Sequence, residues 1–416
     1  MHESGLLRHL IAERYTPESL QIIRGFLEQH KTHQIHPIAH GLFAASPSQA
    51  RNSITGYQNV WIRDNVMVAN SFRLRGERTP AITCMHGLTQ FLATQAPRFR
   101  EIIDDPLHAL KEHGNHRPHI RFIAETLQEL PEKWPHAQND AFGHALWFRF
   151  VLANSTEMPL TAADAQLFRL FPDYFAAIEY WQDHDSGAWE EGRKINNSSV
   201  GAVVAGLEEM KKCGQAGADV RQLDALIAHG RERLKSTLPF ESPPERLVDA
   251  ALLFLIHPLD VIRDRSIENA ILNLVQARVK GETGIKRYPG DSYFCQDYDE
   301  WFKPEEMSSD FSDRLDFRDA HLQPGCEAQW CIFDPLLSVI YGQRFLADRS
   351  RLDDFRRQTY YFSRSLAQIT AQGECPELYF LKNGRYIPNA HTPLAWTQAN
   401  QALALHLMEQ SVREMR

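Results

Sequence analysis

Apolar residues recur at helical spacing along almost the whole chain, while alternating strand patterns are scarce. Leu20, Ile23, Phe26 and Leu27 follow Thr16-Pro17-Glu18, a cap with proline at the first helical position. Thr161 to Asp164 resembles a capping box ahead of Leu167, Leu170 and Phe171. Ser242-Pro243-Pro244-Glu245 opens a helical run from Leu247 to Ile256, which should stop before Pro258. Further helices are expected near 60–75, 117–129, 139–154, 197–212, 219–236, 263–279, 328–344, 351–370 and 393–413. About a dozen helices, without a Gly/Ser/Pro-rich linker or a βαβ pattern, predict an all-α chain folded as one domain over residues 1–416. An (α/α)6 toroid of inner and outer helices would gather its inner-helix loops around a single cup. Periodicity alone does not separate it from a solenoid or an irregular bundle. The stretch from about 288 to 325 is acidic and turn-rich, a length of irregular chain that is usually functional or disordered.

The balance of 53 acidic against 45 basic residues, a net charge of −8 with no long basic run, argues against a nucleic-acid partner. The N-terminus turns polar before an apolar stretch forms, and the longest apolar run, Ala250 to Ile256, is too short to span a membrane. Six cysteines are scattered without a CxxC pair, which predicts reduced thiols and a cytoplasmic location. No HExxH and no tight Cys/His cluster is present, so no metal or organic cofactor is expected. GxSxG, P-loop and GxGxxG patterns are also missing.

Five short segments mix tryptophan, charge and amide groups at expected helix ends. Trp61-Ile62-Arg63-Asp64-Asn65 sets a guanidinium beside a carboxylate, a pair that can fork-bind vicinal hydroxyls, although a surface ion pair has the same sequence. In Trp134-Pro135-His136-Ala137-Gln138-Asn139-Asp140, the indole could stack on an apolar sugar face while Gln138 and Asp140 bond hydroxyls; the plainer reading is a helix start. Trp189-Glu190-Glu191 follows a turn, and a carboxyl set against an indole loses solvation, which favours the protonated form. Lys286-Arg287-Tyr288-Pro289-Gly290-Asp291 offers an arginine from an irregular loop. Pro376-Glu377-Leu378-Tyr379 precedes Pro393-Leu394-Ala395-Trp396, where Trp396 reads equally well as core. Isolated histidines such as His36, His40 and His391 could sit near a cup.

Taken in order, these segments resemble glycoside hydrolase family 15, which includes glucoamylases and the homologous toroid of phosphorylase kinase regulatory subunits. The resemblance runs from roughly residue 38 to residue 410 and rests on the ordered set WIRDN, WPHAQND, WEE with NNSSVGA, KRYPGD, PELY and PLAW. It implies Glu190 as general acid and Glu377 as general base. It also implies that Arg63 and Asp64 bind the terminal glucose, that Arg287 contacts sugar, and that Trp61, Trp134, Trp189, Glu191 and Trp396 line the pocket. No segment matches a starch-binding domain or an N-terminal β-sandwich, and Asn196 to Val200 with Leu247 to Ile256 look closer to the kinase subunits.

The expectation is an inverting, exo-acting α-glucosidase for small soluble glucosides or oligosaccharides, its two carboxyls about 6.5–9.5 Å apart. Two readings compete with it. A non-catalytic carbohydrate sensor would read occupancy through a partner, and an inverting phosphorylase would leave Glu377 superfluous.

Overall fold

The computed structural model describes residues 8–47, 55–215 and 217–415. Two kinds of helical element alternate along the chain. Pro17–Gln29, Arg78–Thr94, the pair Ala162–Phe168 and Leu170–Ala177, Val220–Thr237, Arg265–Arg278 and Leu352–Ala367 bury one face or part of their surface. Between them run Ile62–Leu74, Asn139–Asn154, Asn197–Cys213, the short 3-10 turn Ala250–Leu255, Phe333–Ala347 and Ala395–Glu414. These are buried nearly all round, the mark of a helix enclosed by others. They form the inner ring of an (α/α)6 toroid. Apart from the fourth element, each inner helix packs on the next, and Ala395–Glu414 closes the circle against Ile62–Leu74. Across the short fourth element the ring is completed by Phe254, which meets Phe333 at 6.3 Å and Trp396 at 5.3 Å between ring centroids.

Local chemistry explains both rings. Four of the outer helices begin with side-chain caps: Thr16 and Thr161 each form a capping box, with Ser19 and Asp164, and Asp219 and Asp264 accept from Arg221 and Ser266 amides. Most inner helices start without one, at Trp61, Gln138, Asn196, Ile332 and Leu394. Their N-termini gather at one end of the ring, where unpaired amides and helix dipoles suit polar ligands. Inner helices Asn139–Asn154 and Asn197–Cys213 approach closely because Gly143 faces Ala202, where a Cβ would meet backbone carbon at 2.5 Å. Fully buried Phe142, Phe148 and Phe150 fill the space beside them, each contributing about 1.5–3 kcal/mol by leaving water.

Three sequence expectations need correction. The helix expected near 117–129 is a pair of strands: Arg121–Ile123 pairs antiparallel with Val60–Trp61 and with Gln128–Glu129. Ile120, Arg121 and Phe122 are all buried, so the strand is covered on both faces and its burial does not alternate, and Leu127 turns the chain at φ 54°. Conversely, Arg78–Thr94 and Ala96–Asp104 are helices that the sequence reading passed over, their pattern diluted by Thr79, Pro80, Thr83, Gly87 and Thr89. The run Leu247 to Ile256 forms only the turn Ala250–Leu255. A second small sheet joins Gln329–Trp330, Leu378–Lys382 and Arg385–Pro388, with Trp330 opposite Leu378.

Among the described residues no helix is long and apolar enough to cross a membrane, and no group of three or more His, Cys, Asp or Glu is placed to hold a metal ion. All six cysteines are free thiols.

Candidate active site

Trp61 ends a strand and begins an inner helix, so Arg63 and Asp64 fall in that helix's first turn. Asn65 fixes the turn, accepting from the Phe43 amide at 2.8 Å and donating to the Phe43 and Trp61 carbonyls. Arg63 is buried and donates through Nη1 to Asp140 at 2.9 Å and Gln138 at 3.0 Å. Its Nε has no hydrogen-bond partner among the described residues.

The turn Gly187–Trp189 delivers the two glutamates. Asp185 holds it to the start of Asn139–Asn154 by accepting from the Asn139 amide at 3.0 Å, and Ser186 donates to the Ala137 carbonyl at 2.6 Å. Glu190 is left-handed, at φ 60° and ψ 44°, a strained conformation for a residue with a side chain. That kink sends consecutive side chains to different places. Glu190 enters a pocket, and its Oε1 accepts from Trp61 Nε1 at 2.9 Å and Gln138 Nε2 at 3.0 Å, with Arg63 3.9 Å away. Its Oε2 takes no hydrogen bond among the described residues.

Glu191 turns into a buried cage. Oε1 accepts from Arg287 at 2.9 Å and Arg318 at 2.5 Å, and Oε2 from Arg246 at 3.0 Å and Tyr288 at 2.5 Å. Burial pushes its pKa up, but Arg287, Arg318 and Arg246 outweigh burial and hold the carboxyl well below the usual carboxylate range.

Glu377 comes from the second sheet, its carbonyl accepting from the Cys331 amide at 2.9 Å. Three groups clamp its carboxylate: Tyr57 donates to Oε1 at 2.7 Å, Asn389 to Oε2 at 2.5 Å, and His391 Nδ1 lies 2.8 Å from Oε2. The Tyr57 ring stacks on His391 at 3.6 Å, and its hydroxyl lies 3.0 Å from that of Tyr293. Burial, and then the charge of Glu377, push the Tyr57 pKa well up, which keeps its proton in place as a donor.

Glu190 and Glu377 line one pocket, a cavity of about 100 Å³, together with Trp61, Arg63, Asp64, Trp134, Trp189, Arg287 and Trp396. Nine of the twelve expected site residues therefore meet there. The other three, Gln138, Asp140 and Glu191, stand behind the wall. They are at most 2% exposed and bond Arg63, Glu190 and the arginine cage, although Asp140 Oδ1 has no hydrogen-bond partner among the described residues. His391 sits at Glu377, whereas His36 and His40 are exposed. The sequence reading missed Tyr57, Tyr293, Arg318, Trp330 and Asn389. Tyr57, Tyr293 and Asn389 lie in irregular stretches, Arg318 in the short helix Leu315–Asp319 and Trp330 in the second sheet, all of them between the motifs, where only the mixture of aromatic and polar residues gave a signal.

Two wall indoles, Trp134 and Trp330, are 8% and 7% exposed, yet their Nε1 groups lack a hydrogen-bond partner among the described residues. Arg121 stacks over Trp134 at 4.1 Å and Trp61 at 4.8 Å, stiffening that side. Buried donors without partners are rare in native proteins, and here they border a cavity.

The fold and its parts have known counterparts. The chain superposes on the glucoamylase of Saccharomycopsis fibuligera with a TM-score of 0.64 and 13% identity, covering 98% of each chain. A glycosidase in complex with glucose matches with a TM-score of 0.68 and 16% identity over 98% of this chain and 99% of that one. In sequence, the chain is 24% identical over 411 residues to a probable phosphorylase b kinase regulatory subunit alpha of Caenorhabditis elegans, covering 84% of this chain and 31% of the relative. The mouse liver isoform of that subunit is 24% identical over 293 residues, covering 61% of this chain and 22% of the relative. The chain thus spans less than a third of the length of these curated relatives. The pattern that defines glycosyl hydrolases family 15 matches residues 27–327, well over half of the chain, and the chain belongs to that family.

Proposed function

We propose that this protein hydrolyses small α-glucosides from their non-reducing end, with inversion at the anomeric carbon. The observation that carries the reading is the meeting of Glu190 and Glu377 in one pocket with differently dressed carboxyls. Oε1 of Glu190 already accepts two N–H bonds, so its proton belongs on Oε2, ready for the glycosidic oxygen. The clamp of Tyr57, Asn389 and His391 fixes the Glu377 carboxylate. Each carboxylate oxygen offers two lone-pair directions, so Oε1 keeps one for a water that attacks the anomeric carbon. The unpartnered N–H groups of Trp134 and Trp330 and the Nε of Arg63 suit a ligand dense in hydroxyls.

Proton NMR of the first turnovers on maltose, isomaltose and trehalose tests the reading. Fresh β-glucose from at least one of them is expected, and α-glucose as the first product would exclude inversion. No turnover on an α-glucoside panel, with a tight protein partner in pull-downs, would favour the sensor reading that the regulatory relatives suggest.

Asp64 supplies a pH signature. Burial pushes its carboxyl up to about 7, with Arg63 pulling it down and the charges of Glu190 and Glu377 adding to the rise. Only the ionised form accepts from a sugar hydroxyl on both oxygens. Glucose affinity by calorimetry should therefore weaken as pH falls from about 8 to about 6, and D64N should remove that dependence. A flat profile in the parent protein would rule out this role.

A further inference from the structure

Residues 303–319 form a segment of the wall between Arg287 and Trp330, two pocket residues, and part of it borders the pocket. The pocket residues Arg63, Arg287 and Glu377 are at most 4% exposed, whereas Ser308, Ser309 and Asp310 are half-buried. The exposed run Lys303 to Glu306 leads directly into Ser308 to Asp310 and puts them on the solvent side of the pocket, with the sugar-binding arginines and the base deeper in.

The rim is pinned on several sides. Ser308 Oγ donates to the Thr55 carbonyl at 2.8 Å. Phe311 is 3% exposed and packs against Phe302 at 5.4 Å, with the Arg314 guanidinium over its ring at 4.9 Å. Leu315 presses on Gly192, where a Cβ would come within 2.9 Å of it, so the segment sits directly against the turn that carries Glu190. Finally, Lys133 pairs with Asp313 and lies 3.8 Å from Asp310. Lys133 directly precedes Trp134 and Pro135, which line the pocket, so this ion pair ties two stretches of its border together. The side chains of Lys133 and Asp313 are 46% and 43% exposed, which places the tie on the solvent side of the cavity.

Size decides what such a strap does. The space it leaves, about 100 Å³, falls well short of the roughly 300–1,000 Å³ usual for ligand sites. A single sugar ring is the most that space suits, so the aglycone and any further rings must pass the strap. We infer that the strap formed by Ser308–Asp313 and latched through Lys133 determines specificity, admitting disaccharides and small glucosides and turning away longer chains. This inference rests on the hydrolytic reading above. An exposed ion pair contributes little stability, so the latch is a selector that salt or mutation can loosen.

The test compares kcat/KM for glucose release from maltose and maltoheptaose, and from isomaltose and isomaltohexaose. In the parent protein the disaccharide should lead its longer homologue by about tenfold or more. The variant K133A/D313A, altered outside the pocket lining, should narrow the gap severalfold by raising turnover of the long chain while leaving the disaccharide nearly unchanged. Raising sodium chloride should act in the same direction on the parent protein, a readout that needs no variant. Equal or faster turnover of the long chain by the parent protein overturns the strap and leaves the hydrolase standing, as does a gap that neither the variant nor salt moves. Absence of glucose from all four sugars overturns the hydrolytic reading, and the strap falls with it.

Discussion

Glutamine at position 377 should lower kcat for glucose release by about 10²–10⁴-fold, the usual worth of a positioned general base. The substitution fits the site. A glutamine carbonyl in the place of Oε2 still accepts from Asn389 and His391, and its amino group meets the Tyr57 hydroxyl, which can turn to accept and pass its proton toward Tyr293. The fold should persist while the ability to take a proton from water disappears. Glutamine at position 190 is equally well accommodated, since its carbonyl keeps the bonds from Trp61 and Gln138. Glucosyl fluoride separates the two roles, because fluoride leaves with little help from an acid. E190Q should regain most of the parent rate on that substrate, and E377Q should not. Equal losses on the fluoride, or parental rates for either variant on a disaccharide, would break the assignment.

The reach of the sequence followed physical lines. The toroid was legible because its outer helices carry their own stop and start signals, such as Thr16-Pro17 and the Thr161–Asp164 box, and its inner helices read as apolar on most sides. Arg121–Ile123 was not legible as a strand. Its partners, Trp61 and Glu129, are set by the ring, and Ile120, Ile123 and Leu127 mimic a helical face. Within the site, residues inside the tryptophan motifs were found. Of the clamp on Glu377 only His391 was picked out, because Tyr57 reaches the carboxylate across 320 residues, from outside every motif. Glu190 and Glu191 show the limit most sharply. Adjacent and chemically identical, they are told apart in the sequence only by the family resemblance, and in space by the left-handed backbone at Glu190, which local sequence does not specify.

The same pair yields a result measurable by calorimetry. Glu191→Ala should destabilise the protein by about 3–5 kcal/mol, since removing one partner leaves buried charge uncompensated. Two of its arginines keep other carboxylates: Arg287 holds Asp291 at 2.6 Å and Arg246 holds Asp249 at 3.1 Å. Arg318 keeps only a bond of 2.9 Å to Ser292 Oγ and carries the largest unpaired cost. Glu191→Gln preserves the volume and some of the hydrogen bonds but not the charge, so an intermediate loss is expected. Because Arg287 and Arg318 both border the pocket, their release should also raise KM. A residue that merely touched substrate would raise KM with an unchanged melting temperature. For Glu191 the two losses should arrive together, because the carboxylate shapes the pocket through the arginines it holds rather than by meeting the sugar.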